Sequence, residues 1–180
     1  MIPTTQSDSR GIIEEVLEER LDVGLVGMEW DDTQLECIPF YKDELVIITS
    51  VTEHYRELKK LENPLPELLK QPMILREKGS GTKLAADHFL QKEGMQNKKI
   101  QVVAYMNDPE AIKNSVAAGL GISIVSKKAA ENLICEKRLL SFEFSGYTSG
   151  RKFYIIYKKD FERKPFIHTF INFIQNFYKN

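Results

Sequence analysis

The segment Arg76-Glu77-Lys78-Gly79-Ser80-Gly81-Thr82-Lys83 carries the densest set of ligand-binding features in this chain. Its two glycines permit backbone angles closed to other residues and let a ligand approach the main chain. Ser80 and Thr82 add hydroxyls. The segment follows an apolar run and precedes a helical pattern, and the first amide hydrogens of a helix have no partners within it. Such a helix mouth attracts a carboxylate, phosphate or sulfate, and the helix dipole alone adds about 0.3–1 kcal/mol. Ser80, Gly81 and Thr82 are therefore candidate ligand contacts; the competing reading is a glycine-rich turn capped by Ser or Thr. Neither the GxxxxGK[ST] phosphate loop nor the GxGxxG dinucleotide fingerprint is present.

A second polar helix mouth lies at Thr5-Gln6-Ser7-Asp8-Ser9. Gln6, Ser7 and Ser9 are candidates there, against ordinary capping, and Asp8 is an awkward neighbour for an anion. At Asn107-Asp108-Pro109 an acid would repel an anion, so capping is the better reading. Ser123 and Ser126 flank an apolar strand; Ser123 is taken as a further contact, and a surface loop is an equal reading for Ser126. Trp30, beside Glu29, fits a cleft wall or rim packing equally well.

For catalysis the sequence offers little. His54, His88 and His168 lie on separate segments, with no HExxH and no tight His/Cys/acid cluster. The GxSxG nucleophile elbow is absent. No catalytic residue, no metal site and no cofactor is expected. Cys37 and Cys135 are far apart and form no CxxC pair, so both read as reduced, partly buried thiols.

The elements that must hold these groups alternate between helix and strand, which argues for an α/β fold with a largely parallel sheet. Ile12, Ile13, Val16 and Leu17 give a helix over about 9–20, capped by Asp8 or Ser9. Residues 21–27, 45–48, 73–75, 100–105, 122–125 and 153–157 read as strands, the first buried on both faces. Pro64 and Pro66 open a short helix through Leu69. A helix over about 83–93 turns Leu84, Ala85, Phe89 and Leu90 inward and stops at Gly94. Asp108-Pro109-Glu110 starts another, with Ile112, Val116 and Ala117 inward and Gly119 at its end. Pro165 to about Tyr178 is a helix with Phe166, Ile167, Phe170, Ile171, Ile174 and Phe177 on one face.

The 180 residues include 42% hydrophobic and 28% charged residues, ordinary usage for a packed core. The 25 Lys+Arg against 26 Asp+Glu lack the basic excess of a free-standing nucleic-acid binder. Met1–Thr5 does not read as a signal peptide and no run reaches membrane-spanning length, so the expected location is the cytoplasm, with no membrane partner.

Four passages, taken in order, resemble the effector-binding domain of LysR-type transcriptional regulators. They are Ile13–Val16–Leu17 with Leu21-Asp22-Val23-Gly24-Leu25-Val26; Asp43-Glu44-Leu45-Val46-Ile47-Ile48; Ile74-Leu75-Arg76-Glu77 with Gly79-Ser80-Gly81-Thr82-Lys83; and Val116 through Val125. Two positions depart from that pattern: Lys83 stands where Arg is usual, and Ser126 where Pro is commoner. The resemblance implies an α/β fold of the type-2 periplasmic-binding-protein kind, two lobes around a ligand cleft with two crossover strands. It places 1–48 with 147–180 in a first lobe, incomplete at its N-terminus, and 49–146 in a second. It makes Ser80, Gly81 and Thr82 the second-lobe contacts to a small, anionic effector, and Gln6, Ser7 and Asp8 map loosely onto the first-lobe contact. It further implies a sensor that performs no chemistry and a homo-oligomer. DNA is reached only through an N-terminal domain missing from this chain, with RNA polymerase a further partner of the full-length protein. The family's first strand and helix of the first lobe also have no counterpart, which implies exposed apolar edges. Two other readings stay open: a transporter's solute-binding protein on the same fold, marked by export, and an enzyme on a similar scaffold, marked by turnover.

Overall fold

A computed structural model describes residues 4–95, 100–143, 151–160 and 165–178. The chain folds as two compact units. The first draws on 1–42, 79–81 and 150–180, the second on 43–78 and 82–149.

The first unit is a three-stranded antiparallel sheet with a helix on each face. Strand β8 (Lys152–Lys158) lies in the centre, between β1 (Gly24–Val26) and β2 (Leu35–Lys42). Side chains alternate along a strand. Tyr154 and Ile156 of β8 therefore meet Ile12, Ile13 and Val16 of helix α1 (Ser9–Leu17). Ile155 and Tyr157 point the other way, against Ile167 and Ile171 of helix α7 (Pro165–Phe177).

Three expectations change here. The sheet is antiparallel. Only Gly24 and Val26 of β1 are buried, on the face that α1 covers, and Leu25 on the opposite face is 46% exposed, outside the cluster that packs against α7. The apolar arc of α7 is wider than the sheet that covers it: Ile167 and Ile171 are buried and Ile174 half-buried, whereas Phe166, Phe170 and Phe177 are exposed.

The second unit is a five-stranded mixed sheet in the order β5 (Val102–Met106), β4 (Met73–Arg76), β6 (Ile122–Ser126), β3 (Leu45–Thr49), β7 (Leu140–Phe142). β4 is parallel to β5 and β6, and β3 runs antiparallel to β6 and β7. Both faces are covered, so β3 and β6 are buried along their whole length and read as apolar runs. On one face Ile47, Met73, Leu75, Ile122 and Ile124 pack against α2 (Glu53–Leu58), α3 (Leu65–Leu68) and α4 (Gly81–Lys92). On the other, Val46, Ile48, Ile74 and Val125 pack against α5 (Pro109–Ala117) and α6 (Lys127–Cys135).

The division between the units falls at Lys42/Asp43 instead of residue 48, because Leu45–Ile48 pair with Ser123–Ser126 of β6. Residue 147, the other expected boundary, lies outside the described residues. In α4 the inward residues are Ala86, Phe89 and Leu90; Leu84 is 58% exposed, since it sits about 200° around the helix from Ala86.

The two thiols differ. Cys37 is half-buried against the α1 core, and burial, more than Glu29 and Glu36, raises its pKa, with a backbone hydrogen bond from Trp30 opposing. Cys135 is exposed, contrary to expectation. Thiolate is the reactive form. Iodoacetamide at mildly alkaline pH should therefore modify Cys135 well before Cys37 when the product is mapped by mass spectrometry. Equal labelling of the folded chain would contradict this placement of Cys37.

Candidate functional site

The mouth of α1 belongs to the first unit and is filled by protein groups. Asp8 is its cap, and the Oδ1 atom accepts from the Gly11 amide at 2.8 Å. The Arg10 amide donates to the Gly79 carbonyl at 3.2 Å, and that of Ile12 donates to the Asp8 carbonyl. Ser9 Oγ accepts from the Gly27 amide at 3.1 Å, so this hydroxyl ties α1 to the end of β1. Gln6 and Ser7 are exposed in the coil before the helix. Capping accounts for this mouth, and the Asp8 carboxylate makes it a poor place for an anion.

The turn at 79–81 packs into the same unit. Gly79 has φ +96°, and a Cβ there would lie 2.8 Å from Asp8 Oδ2. A Cβ on Gly81 would lie 2.2 Å from the Gly27 carbonyl oxygen. Ser80 is 5% exposed. The two glycines thus serve close approach of protein to protein, where the sequence suggested approach of a ligand.

In the second unit the parallel strands bring three helix mouths to one edge. β4 leads towards α4, β5 into α5 and β6 into α6, so all three helices begin at the C-terminal ends of these strands. That edge is where open α/β sheets bind ligands. Two of the mouths are closed by their own caps. Asp108 accepts from the amides of Glu110 and Ala111. Ser126 Oγ accepts from the Ala129 amide and donates to Asp43 Oδ1 at 2.7 Å, both residues being buried. Ser126 is thus no surface-loop residue.

The third mouth, at α4, has no acidic side chain from Gly79 to Lys83. Thr82 is half-buried there. Beside it stands the end of β4, where half-buried Arg76 donates from Nη2 to Asn107 Oδ1 at 3.2 Å, linking the ends of β4 and β5. Lys83 is not a comparable cation: its ammonium holds Asp87 at 2.5 Å and lies 5.9 Å from the Tyr105 ring centroid. Arg76 and Asn107 were not singled out as contacts from the sequence, because their pairing depends on the register of β4 with β5.

Ser123 is corrected. It is fully buried within β6, and its hydroxyl donates to the Ile74 carbonyl at 2.7 Å, so it stitches β6 to β4 and is closed to a ligand. Trp30 packs half-buried against the α1 core. Among the described residues no three His, Cys, Asp or Glu side chains gather as a metal set, and no helix is long and apolar enough to cross a membrane.

Comparison with known proteins gives the arrangement its relatives. The profile of the LysR substrate binding domain matches residues 3–179. A RuBisCO operon transcriptional regulator of Allochromatium vinosum is 24% identical over 168 residues, 93% of this chain and 54% of that protein. The HTH-type transcriptional activator CmpR of Synechocystis is 28% identical over 163 residues, 91% of this chain and 52% of that protein. The chain therefore spans about half the length of these curated relatives. Among solved structures, the effector binding domain of QuiR in complex with shikimate matches with a TM-score of 0.80 at 19% identity, over 97% of this chain and 79% of that one. The Synechocystis PCC6803 CcmR regulatory domain in complex with 2-PG matches with a TM-score of 0.73 at 21% identity, over 96% of this chain and 81% of that one. These likenesses give the α/β, type-2 periplasmic-binding-protein-like fold.

Proposed function

The chain belongs to the LysR substrate-binding-domain family and is a LysR-type effector-binding domain, and from that premise we propose that it takes a small anionic metabolite at the C-terminal edge of its parallel strands. The observation that carries this reading is Arg76, half-buried at the end of β4 and held by Asn107, at the same edge as the start of α4, where no acidic residue stands from Gly79 to Lys83. A guanidinium supplies paired donors matched to carboxylate or phosphate. Shikimate, named with the QuiR domain, is itself a carboxylate.

The domain acts as a sensor and performs no chemistry on its effector. In the full-length protein, binding shifts a conformational equilibrium that DNA-binding domains read, within a homo-oligomer in the cytoplasm and with RNA polymerase as a further partner.

A thermal-shift screen of carboxylates and phosphates on the wild-type chain and Arg76→Ala tests this. A true effector at about 100-fold its dissociation constant adds about 2.7 kcal/mol of apparent stability. Arg76→Ala should remove roughly 1.5–3 kcal/mol of binding energy, the worth of hydrogen bonds to a charged group. If Arg76→Ala responds to the hit as the wild type does, the site is elsewhere.

A further inference from the structure

The second unit has an open depression of about 550 Å³ at its opposite pole. Because β3 runs antiparallel to β6, its last residues lie at the edge where β4, β5 and β6 begin. α5 starts at the Arg76 edge and ends at this one. The five residues of β6 set the two edges apart by about 16 Å. Ser50, Val51, Asn114, Ala117, Ala118 and Arg138 line the depression.

Three of its polar features bear on what it could hold. Ser50 is 6% exposed, and its hydroxyl has no hydrogen-bond partner among the described residues. The hydroxyl is open to the solvent of the depression, where a ligand can replace the water it meets. Among the described residues the Arg138 side chain pairs with Glu136 alone, at 3.5 Å and in the open, a contact of little worth. The carbonyls of Ala117 and Ala118, at the end of α5, accept no backbone hydrogen bond among the described residues. They carry the negative end of the helix dipole. Val51 and the two alanine side chains supply apolar wall.

A cation and a helix C-terminus in one depression call for a ligand bearing both charges. A phosphate dianion would face the α5 carbonyls, and a simple amine would face Arg138. We propose that this depression is a second ligand site, for a small aliphatic α-amino acid. The carboxylate lies on Arg138, the ammonium on the α5 carbonyls and the Ser50 hydroxyl, and the side chain against Val51. Asn114 contributes an amide at the rim.

The test is isothermal titration of the 180-residue chain with L-valine and with 3-methylbutanoate, which is valine without its ammonium. Saturable valine binding is expected in the millimolar range or below, with 3-methylbutanoate weaker by about ten-fold or more. Arg138→Ala and Ser50→Ala should each weaken valine while leaving the circular dichroism melt in place, since Arg138 is exposed and the Ser50 carbonyl that accepts from Thr49 is kept. Arg76→Ala should leave valine binding unchanged, which separates this site from the effector site. No saturable valine binding, equal binding of 3-methylbutanoate, or valine binding lost with Arg76→Ala and kept with Arg138→Ala would each overturn the proposal.

Discussion

Gly81→Ala should lower the unfolding free energy by about 1–3 kcal/mol, the usual cost of forcing volume into packed structure. At an ordinary helix position the same change would stabilise by roughly 0.5–1 kcal/mol, because glycine is the costlier residue there. The sign reverses at Gly81 because the new methyl would meet the Gly27 carbonyl oxygen at 2.2 Å. That atom is backbone, so no side-chain rotation relieves the overlap, and the turn must withdraw from the end of β1. The Gly79 carbonyl withdraws with it and loosens the hydrogen bond from the Arg10 amide. Denaturant unfolding measures the first effect, and faster amide hydrogen exchange at Arg10 the second. Unchanged or raised stability would show that the turn is not seated on Gly27.

Ser126→Ala is expected to cost more, about 2–4 kcal/mol, because one hydroxyl does two jobs. It donates to Asp43, a carboxylate with no solvent exposure, and a lost hydrogen bond to a buried charged group is worth about 1.5–3 kcal/mol. It also accepts from the Ala129 amide as the cap of α6, worth about 1 kcal/mol. Ser126→Thr keeps both bonds and should recover most of the loss. Chemical denaturation of the three proteins separates these outcomes, and a drop of less than about 0.5 kcal/mol, the range of an ordinary surface substitution, would refute the shared role. Serine at this position departs from the family pattern noted in the sequence, and Asp43 is its structural counterpart: a proline would offer the carboxylate no donor.

The same contrast between neighbouring and distant groups separates what could be read in the sequence from what could not. Asp108-Pro109-Glu110 marks the start of α5 without ambiguity, since a cap acts within one turn. The apolar runs of β3, β6 and β8 were legible because each is buried on both faces. β2 was not: Pro39 interrupts its pattern, and the strand survives by placing that proline on an exposed edge at a shift of register with β8. α6 carries only Ala130 and Leu133 as buried anchors, too few to announce a helix, and its cap depends on a serine that reads equally as loop.

By itself, then, the sequence determined the alternation of elements, the caps built from adjoining residues, the family, and the glycine turn at 79–82 as a place of close approach. Only the tertiary structure decided what approaches Gly79 and Gly81, namely Asp8 and Gly27 of the same unit. Within the second unit it paired β4 with β5, so that Arg76 meets Asn107. It also decided that Ser123 is spent inside the sheet and that the phenylalanines of α7 stay exposed. The physical reason is range. Backbone propensity and capping act over a few residues along the chain, whereas strand register and packing bring together groups whose separation in sequence says nothing of their distance in space.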